Sequence, residues 1–141
     1  MTLSRLEELI STKQPIHLSG IGGVSMRALA ELLLDMGACV QGSDRERSPY
    51  TDRLEQMGAR IYIGQREENV AGAAAVIRTA AVSDQNPEIV AARRMDLPIV
   101  ERGQAWGLLM GRYRSAICIA GTHGKTTTTS MVATFAQSAG L

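Results

Sequence analysis

The run Ile16-His17-Leu18-Ser19 ends in Gly20-Ile21-Gly22-Gly23, and a helical pattern begins at once with Val24. A short apolar strand that feeds a glycine turn and then an amphipathic helix fits few architectures. The helix must return the chain over the face of a sheet, so the next strand lies parallel to the first. The remaining sequence repeats this alternation. Apolar runs predict strands at 16–19, 38–42, 60–63, 75–79, 98–100 and 115–119, with helices predicted at 24–36, 50–57, 87–95 and 104–110. In the helix from Val24, Met26, Leu29, Leu33 and Met36 form one stripe, while Arg27, Glu31 and Asp35 fall on the other side. Gly37 and Gly58 stand where helices stop. The expected fold class is α/β: a Rossmann-like three-layer domain with a mostly parallel sheet.

The glycine turn also has a chemistry. Gly20-Ile21-Gly22-Gly23-Val24-Ser25 approaches the pattern G-x-G-x-x-G, with Ser25 in the third glycine position. The first two glycines permit a tight turn and close approach of a diphosphate, and the helix N-terminus supplies favourable potential. Gly42-Ser43-Asp44 follows the second strand, and Asp44 lies where an acidic side chain binds ribose hydroxyls. A nucleotide diphosphate is therefore the expected ligand class. The residues alone do not choose NAD over another such nucleotide.

A second loop, Ala120-Gly121-Thr122-His123-Gly124-Lys125-Thr126-Thr127, follows the apolar run Ala116-Ile117-Cys118-Ile119 and precedes a helical segment predicted from Thr128 to Ser138. Gly124-Lys125-Thr126 is the core of a P-loop: backbone amides cradle phosphate, Lys125 reaches its β and γ oxygens, and the Thr126 hydroxyl serves magnesium. The earlier glycine of that pattern is displaced, with Ile119 in its place and Gly121 two positions late. A dehydrogenase needs only the first loop, so the pair points to an ATP-dependent enzyme acting on a nucleotide conjugate. The clearest boundary lies between Gly111 and Ser115. Residues 1–112 read as the Rossmann-like unit and 113–141 as the opening β-loop-α of a P-loop ATPase domain.

Composition narrows the partners. Among 141 residues, 15 Lys and Arg stand against 14 Asp and Glu, so no excess charge favours nucleic acid or an anionic membrane. The first 14 residues form a short amphipathic pattern rather than a secretory leader, and cytoplasmic residence is expected. Cys39 and Cys118, each inside a predicted strand, read as small apolar residues rather than a disulfide or metal site.

Four segments together, Gly20-Ile-Gly-Gly-Val-Ser-Met26, Gly42-Ser-Asp44, Asn86-Pro-Glu88 and Ala120-Gly-Thr-His-Gly-Lys-Thr-Thr-Thr129, resemble the Mur ligases of peptidoglycan synthesis. The likeness runs from about Ile16 to Leu141, and the family's short Gly-Thr-x-Gly-Lys-Thr loop accounts for the displaced glycine. It implies a first domain for the UDP end of UDP-N-acetylmuramate, a central ATPase domain and a third domain. Within the family, His123 fits the alanine-adding and the tripeptide-recycling branches, and Gly-Ile-Gly-Gly favours the former. By resemblance Gly20, Ile21, Gly22, Gly23, Val24 and Ser25 hold the diphosphate, Ser43 and Asp44 face the uridine, and Thr79, Ala80 and Ala81 approach the same ligand. Ala80 and Ser25 depart from the family pattern. Gly121, Thr122, His123, Gly124, Lys125, Thr126 and Thr127 would bind ATP, with Lys125 and Thr126 catalytic and Thr126 on Mg2+. The implied reaction joins a muramoyl carboxylate to L-alanine through an acyl phosphate. The 141 residues lack a later acidic magnesium ligand and an amino-acid site, so this chain by itself is expected neither to hydrolyse ATP nor to form product.

Other side chains read as structural. His17 is expected to be a buried, hydrogen-bonded strand histidine, and Trp106 to pack in its helix. Arg102 stands just past a strand's carboxyl end, where it can meet an anion or simply be solvated.

Overall fold

The computed structural model describes residues 1–140. The chain opens with α1 (Leu3–Ser11), whose N-cap Thr2 accepts a hydrogen bond from the Arg5 amide, and then alternates β1 (Ile16–Ser19), α2 (Val24–Asp35), β2 (Val40–Asp44), α3 (Pro49–Gln56) and β3 (Arg60–Ile63). A 3-10 turn, Glu67–Val70, leads to β4 (Ala75–Arg78), α4 (Pro87–Arg94), β5 (Ile99–Glu101), α5 (Arg102–Met110) and finally α6 (Lys125–Ser138). All pairings in the sheet are parallel, in the order β3-β2-β1-β4-β5. Among the described residues, no helix is long and apolar enough to cross a membrane.

The sheet order reverses beside β1, which pairs with β2 on one side and β4 on the other. Open parallel sheets bind ligands at such a switch point, outside the carboxyl ends of the strands. Two apolar layers hold it. Leu6, Leu9, Met26, Leu29, Leu33 and Leu109 pack with Ile16, Leu18 and Ile77 on one face, and Val70, Val76, Ile89 and Ala92 form the smaller cluster on the other. Gly42 marks the tightest approach. A Cβ there would lie 2.6 Å from the Leu18 carbonyl oxygen and 2.7 Å from Ile21 Cδ1, so only glycine lets β2 lie this close to β1.

Several expectations shift. β2 runs from Val40 to Asp44 rather than 38–42, because its register is set by Ile16 opposite Val40 and Ser19 opposite Ser43. α6 starts at Lys125, three residues before the expected Thr128, and α5 starts at Arg102 rather than Gln104. The expected strand at 115–119 does not form. Those residues are exposed or half-exposed and no described strand pairs with them, so they lack the ladder that would satisfy extended backbone. The two thiols are exposed rather than buried: Cys39 precedes β2, and Cys118 lies outside any strand with Sγ 3.6 Å from Met110 Sδ.

Candidate functional site

The carboxyl ends of β1, β2 and β4 open onto a cavity of about 900 Å³. Its floor is the first glycine loop. The Gly20 and Ile21 amides donate to the Ser43 carbonyl at 2.8 and 2.9 Å, and the Gly23 amide donates to the Gly20 carbonyl at 3.2 Å. The Gly22 amide donates to Asp44 Oδ2 at 2.8 Å, and the Arg45 amide to Asp44 Oδ1 at 2.7 Å. A Cβ on Gly22 would stand 2.8 Å from that same Asp44 oxygen, so glycine is required for the carboxylate to seat on the loop. Asp44 is thus both a wall of the cavity and the clasp between β2 and the loop.

The anticipated residues divide into two sets. Gly20, Gly22, Gly23, Val24, Ser25, Asp44, Thr79 and Ala81 border the cavity, while Ile21, Ser43 and Ala80 do not. Ile21 is fully buried in the main core, and its amide is already bonded to Ser43. The Ser43 hydroxyl turns away from the cavity, into the sheet, and donates to Glu88. α2 begins at Val24 with Gly23 as its N-cap, so the positive end of a 12-residue helix faces the opening.

The outer rim carries residues that the sequence did not single out, beside Arg102, which it did. Tyr50, on α3, borders the cavity at 52% exposure, and the Arg27 guanidinium lies 4.1 Å over its ring. Ser48 and Thr51 form a reciprocal capping box that fixes the start of α3. Arg47 is held by Asp52 and Glu55, whereas Arg45 and Arg102 border the cavity and enter no ion pair among the described residues. The loop between β4 and α4 forms the remaining side. Arg78, at 17% exposure, donates to Asp84 at 2.6 Å and to Glu101 at 2.8 Å, and Arg93 also donates to Asp84 at 2.6 Å. The bonds from Arg78 and then Arg93 hold the Asp84 carboxyl below the usual carboxylate range.

Beneath the cavity lies a buried polar cluster. Glu88 Oε2 accepts from the Ser19 hydroxyl at 2.6 Å and the Ser43 hydroxyl at 2.8 Å, and Oε1 accepts from Asn69 Nδ2 at 2.7 Å. Asn86 caps α4 by accepting from the Glu88 amide at 2.9 Å, with Pro87 at the first helical position, and this arrangement turns Glu88 inward. His17 is buried as expected but is not hydrogen-bonded. Its Nε2 approaches Glu88 Oε2 at 3.3 Å, and neither ring nitrogen has a hydrogen-bond partner among the described residues. Burial pushes the Glu88 carboxyl up, and His17, Ser19 and Asn69 outweigh that effect, so it stays below the usual range. The sequence signal was the triplet Asn86-Pro87-Glu88, a helix cap whose acidic residue is not on the solvent face.

The second loop is differently placed. Gly124 has φ 78° and caps a 14-residue helix with no buried residue. Lys125 Nζ donates back to the carbonyls of Gly121 at 2.7 Å and Thr122 at 3.2 Å. Thr126 and Thr127 border a shallow groove of about 620 Å³ with Met131 and Phe135, along one face of α6. No group of three or more His, Cys, Asp or Glu side chains converges on a metal site among the described residues.

Comparison with known proteins extends this geometry. A UDP-N-acetylmuramate--L-alanine ligase of Solibacter usitatus is 46% identical over 136 residues, covering 96% of this chain and 29% of that protein. One from Jannaschia sp. is 52% identical over 126 residues, covering 89% of this chain and 26% of its own. The chain therefore spans under a third of the length of these relatives. The crystal structure of the UDP-N-acetylmuramate-alanine ligase of Thermotoga maritima superposes with TM-score 0.81 at 38% identity, over 87% of this chain and 29% of that one. A murein peptide ligase of Psychrobacter arcticus gives TM-score 0.83 at 33% identity, over 90% of this chain and 27% of its own. The family model described as Mur ligase family, catalytic domain, matches residues 15–114, which hold the sheet and the glycine-loop cavity. The chain belongs to the Mur ligase family.

Proposed function

We propose that this chain carries the UDP-binding site of an ATP-dependent UDP-N-acetylmuramate--L-alanine ligase, a cytoplasmic enzyme of peptidoglycan precursor synthesis. The observation that carries the reading is the cavity bounded by Gly22, Gly23, Val24 and Asp44 at the sheet's switch point, in a chain 46% and 52% identical to two such ligases. The diphosphate lies against the N-terminus of α2, where the Val24 and Ser25 amides and the helix potential meet its charge. Asp44 accepts from ribose hydroxyls while keeping its bond to the Gly22 amide, since its two carboxyl oxygens have lone pairs for both.

ATP and Mg2+ belong to the second loop, which fits a triphosphate in part. The α6 N-terminus, Lys125 and Thr126 are in place, and bound ATP supplies the phosphoryl group that activates the muramoyl carboxylate for attack by L-alanine. Lys125 Nζ would exchange its bonds to the Gly121 and Thr122 carbonyls for phosphate oxygens and so neutralise charge there. The residues 113–141 are read as the start of that ATPase domain. The fold does not separate an alanine-adding from a tripeptide-recycling ligase, as the TM-scores of 0.81 and 0.83 show. The identities of 46% and 52% to alanine ligases favour the former.

Calorimetric titration of the chain with UDP-N-acetylmuramate, UDP and NADH tests the proposal. Binding of the first two is expected. Binding of NADH without either uridine nucleotide would replace the ligase reading with that of an oxidoreductase domain.

A further inference from the structure

We infer that Glu88 is a positioning residue that sets the geometry of the nucleotide site from beneath the sheet, through Ser19 and Ser43. Glu88 is fully buried and does not border the cavity, so it has no route to a bound nucleotide. Its Oε2 receives the hydroxyls of Ser19 and Ser43, the residues that immediately precede Gly20 and Asp44. Ser43 then presents its carbonyl to the Gly20 and Ile21 amides, and Asp44 clasps the Gly22 amide. One carboxylate oxygen therefore ties the carboxyl end of β1, from which the glycine loop leaves, to the carboxyl end of β2, onto which the loop amides bond.

The chemistry demands an ionised acceptor. Both serines donate to Oε2 while Asn69 Nδ2 donates to Oε1, so every hydrogen bond made by this carboxylate is one it accepts, with His17 Nε2 a further 3.3 Å neighbour of Oε2. A glutamine in the same place must point its amide nitrogen at one of these donor sets. Toward Asn69 the clash has no easy repair, because the Asn69 amide is also fixed by its bond to the Gly64 carbonyl at 2.8 Å. Toward the serines, both hydroxyls must turn from donating to accepting, and each loses the acceptor it has in Oε2. The first arrangement strains the 3-10 turn that carries Asn69, and the second disturbs the two serines that hold the loop.

This inference rests on the proposed uridine site, and the test keeps the two apart. UDP affinity is measured by calorimetry for the native chain, Glu88→Gln, Ser43→Ala and Leu9→Ala. Leu9 is buried on α1, outside the cavity and the cluster, so this variant lowers stability alone. Ligand-free 15N spectra of the four proteins are recorded alongside. Glu88→Gln and Ser43→Ala are expected to weaken UDP binding at least fivefold and to shift the Gly20, Ile21 and Gly22 amides, while Leu9→Ala changes affinity less than twofold. Ser43→Ala keeps the backbone carbonyl and decides the matter if Glu88→Gln does not fold. Unchanged affinity and unmoved loop amides in Ser43→Ala would overturn the inference, as would an equal loss in Leu9→Ala. If the native chain does not bind UDP, the functional reading fails, and the ligand-free amide shifts still decide the positioning role.

Discussion

The two glycine loops share a plan and differ in nearly everything that surrounds it. Gly20–Ser25 is strung between β1 and α2, its amides donate to Ser43, Asp44 and its own turn, and Glu88 anchors both strands from below. Gly121–Lys125 follows a segment that forms no strand, and the helix after it leaves Met131 at 58% and Phe135 at 74% exposure. A glycine motif specifies how backbone can turn around a phosphate. It does not supply the scaffold that holds the turn in one geometry, and that scaffold is what preorganises binding. In the described residues the first loop has such a scaffold, and the second has a lysine folded onto its own carbonyls.

The sharpest contrast should be seen in hydrogen exchange. Amides in β1 and β2 are expected to open only with the whole sheet, whereas those of Thr127 to Thr129 open locally, giving a difference in protection of about 10³-fold. Comparable protection in both regions would mean that α6 is docked and that the contrast is false. Next in size, Gly42→Ala is expected to lower the stability of the sheet by about 3 kcal/mol in urea titration, since its Cβ must displace the Leu18 carbonyl or Ile21. Gly124→Ala strains a positive φ but should leave the same unfolding midpoint unchanged, because α6 buries no residue of its own among the described residues.

A smaller effect tests the clasp. Gly22→Ala pushes its Cβ against Asp44 Oδ2, and UDP affinity should fall about tenfold, or ~1.4 kcal/mol, with little change in stability. The smallest concerns acid. Because the Glu88 carboxyl is held below its unfolded value, its contribution is complete above that value and is lost as pH falls through the folded one. The acid limb of a stability profile should therefore be shallower in Glu88→Gln than in the native chain. An identical limb would show that Glu88 is not held ionised by its neighbours.

Much of this was legible in the sequence, and the limits have physical reasons. Strands β1 and β3 and the helix stripe of Met26, Leu29 and Leu33 follow from periodicity, because burial on one face is a local pattern. β2 lay two residues further on than its apolar residues suggested, since register depends on pairing with β1. Residues 115–119 show the same limit more strongly: Ile117 and Ile119 mark an apolar run, but no pattern in one segment reveals whether a neighbouring strand exists. The glycine loop and Asp44 were readable as partners, and the structure sets them on one cavity. The direction of Ser43 was not, because it is set by Glu88, 45 residues away in the chain.

The central claim is that the first loop, rather than the second, is the uridine nucleotide site of this chain. Titration with UDP, followed by amide chemical shifts in a 15N-labelled sample, tests it most directly. The account predicts saturable shifts at Gly22, Gly23, Val24, Ser25 and Arg45, with Gly121 to Thr127 unmoved. Saturable shifts confined to Gly121–Thr127, with the first loop silent, would contradict it.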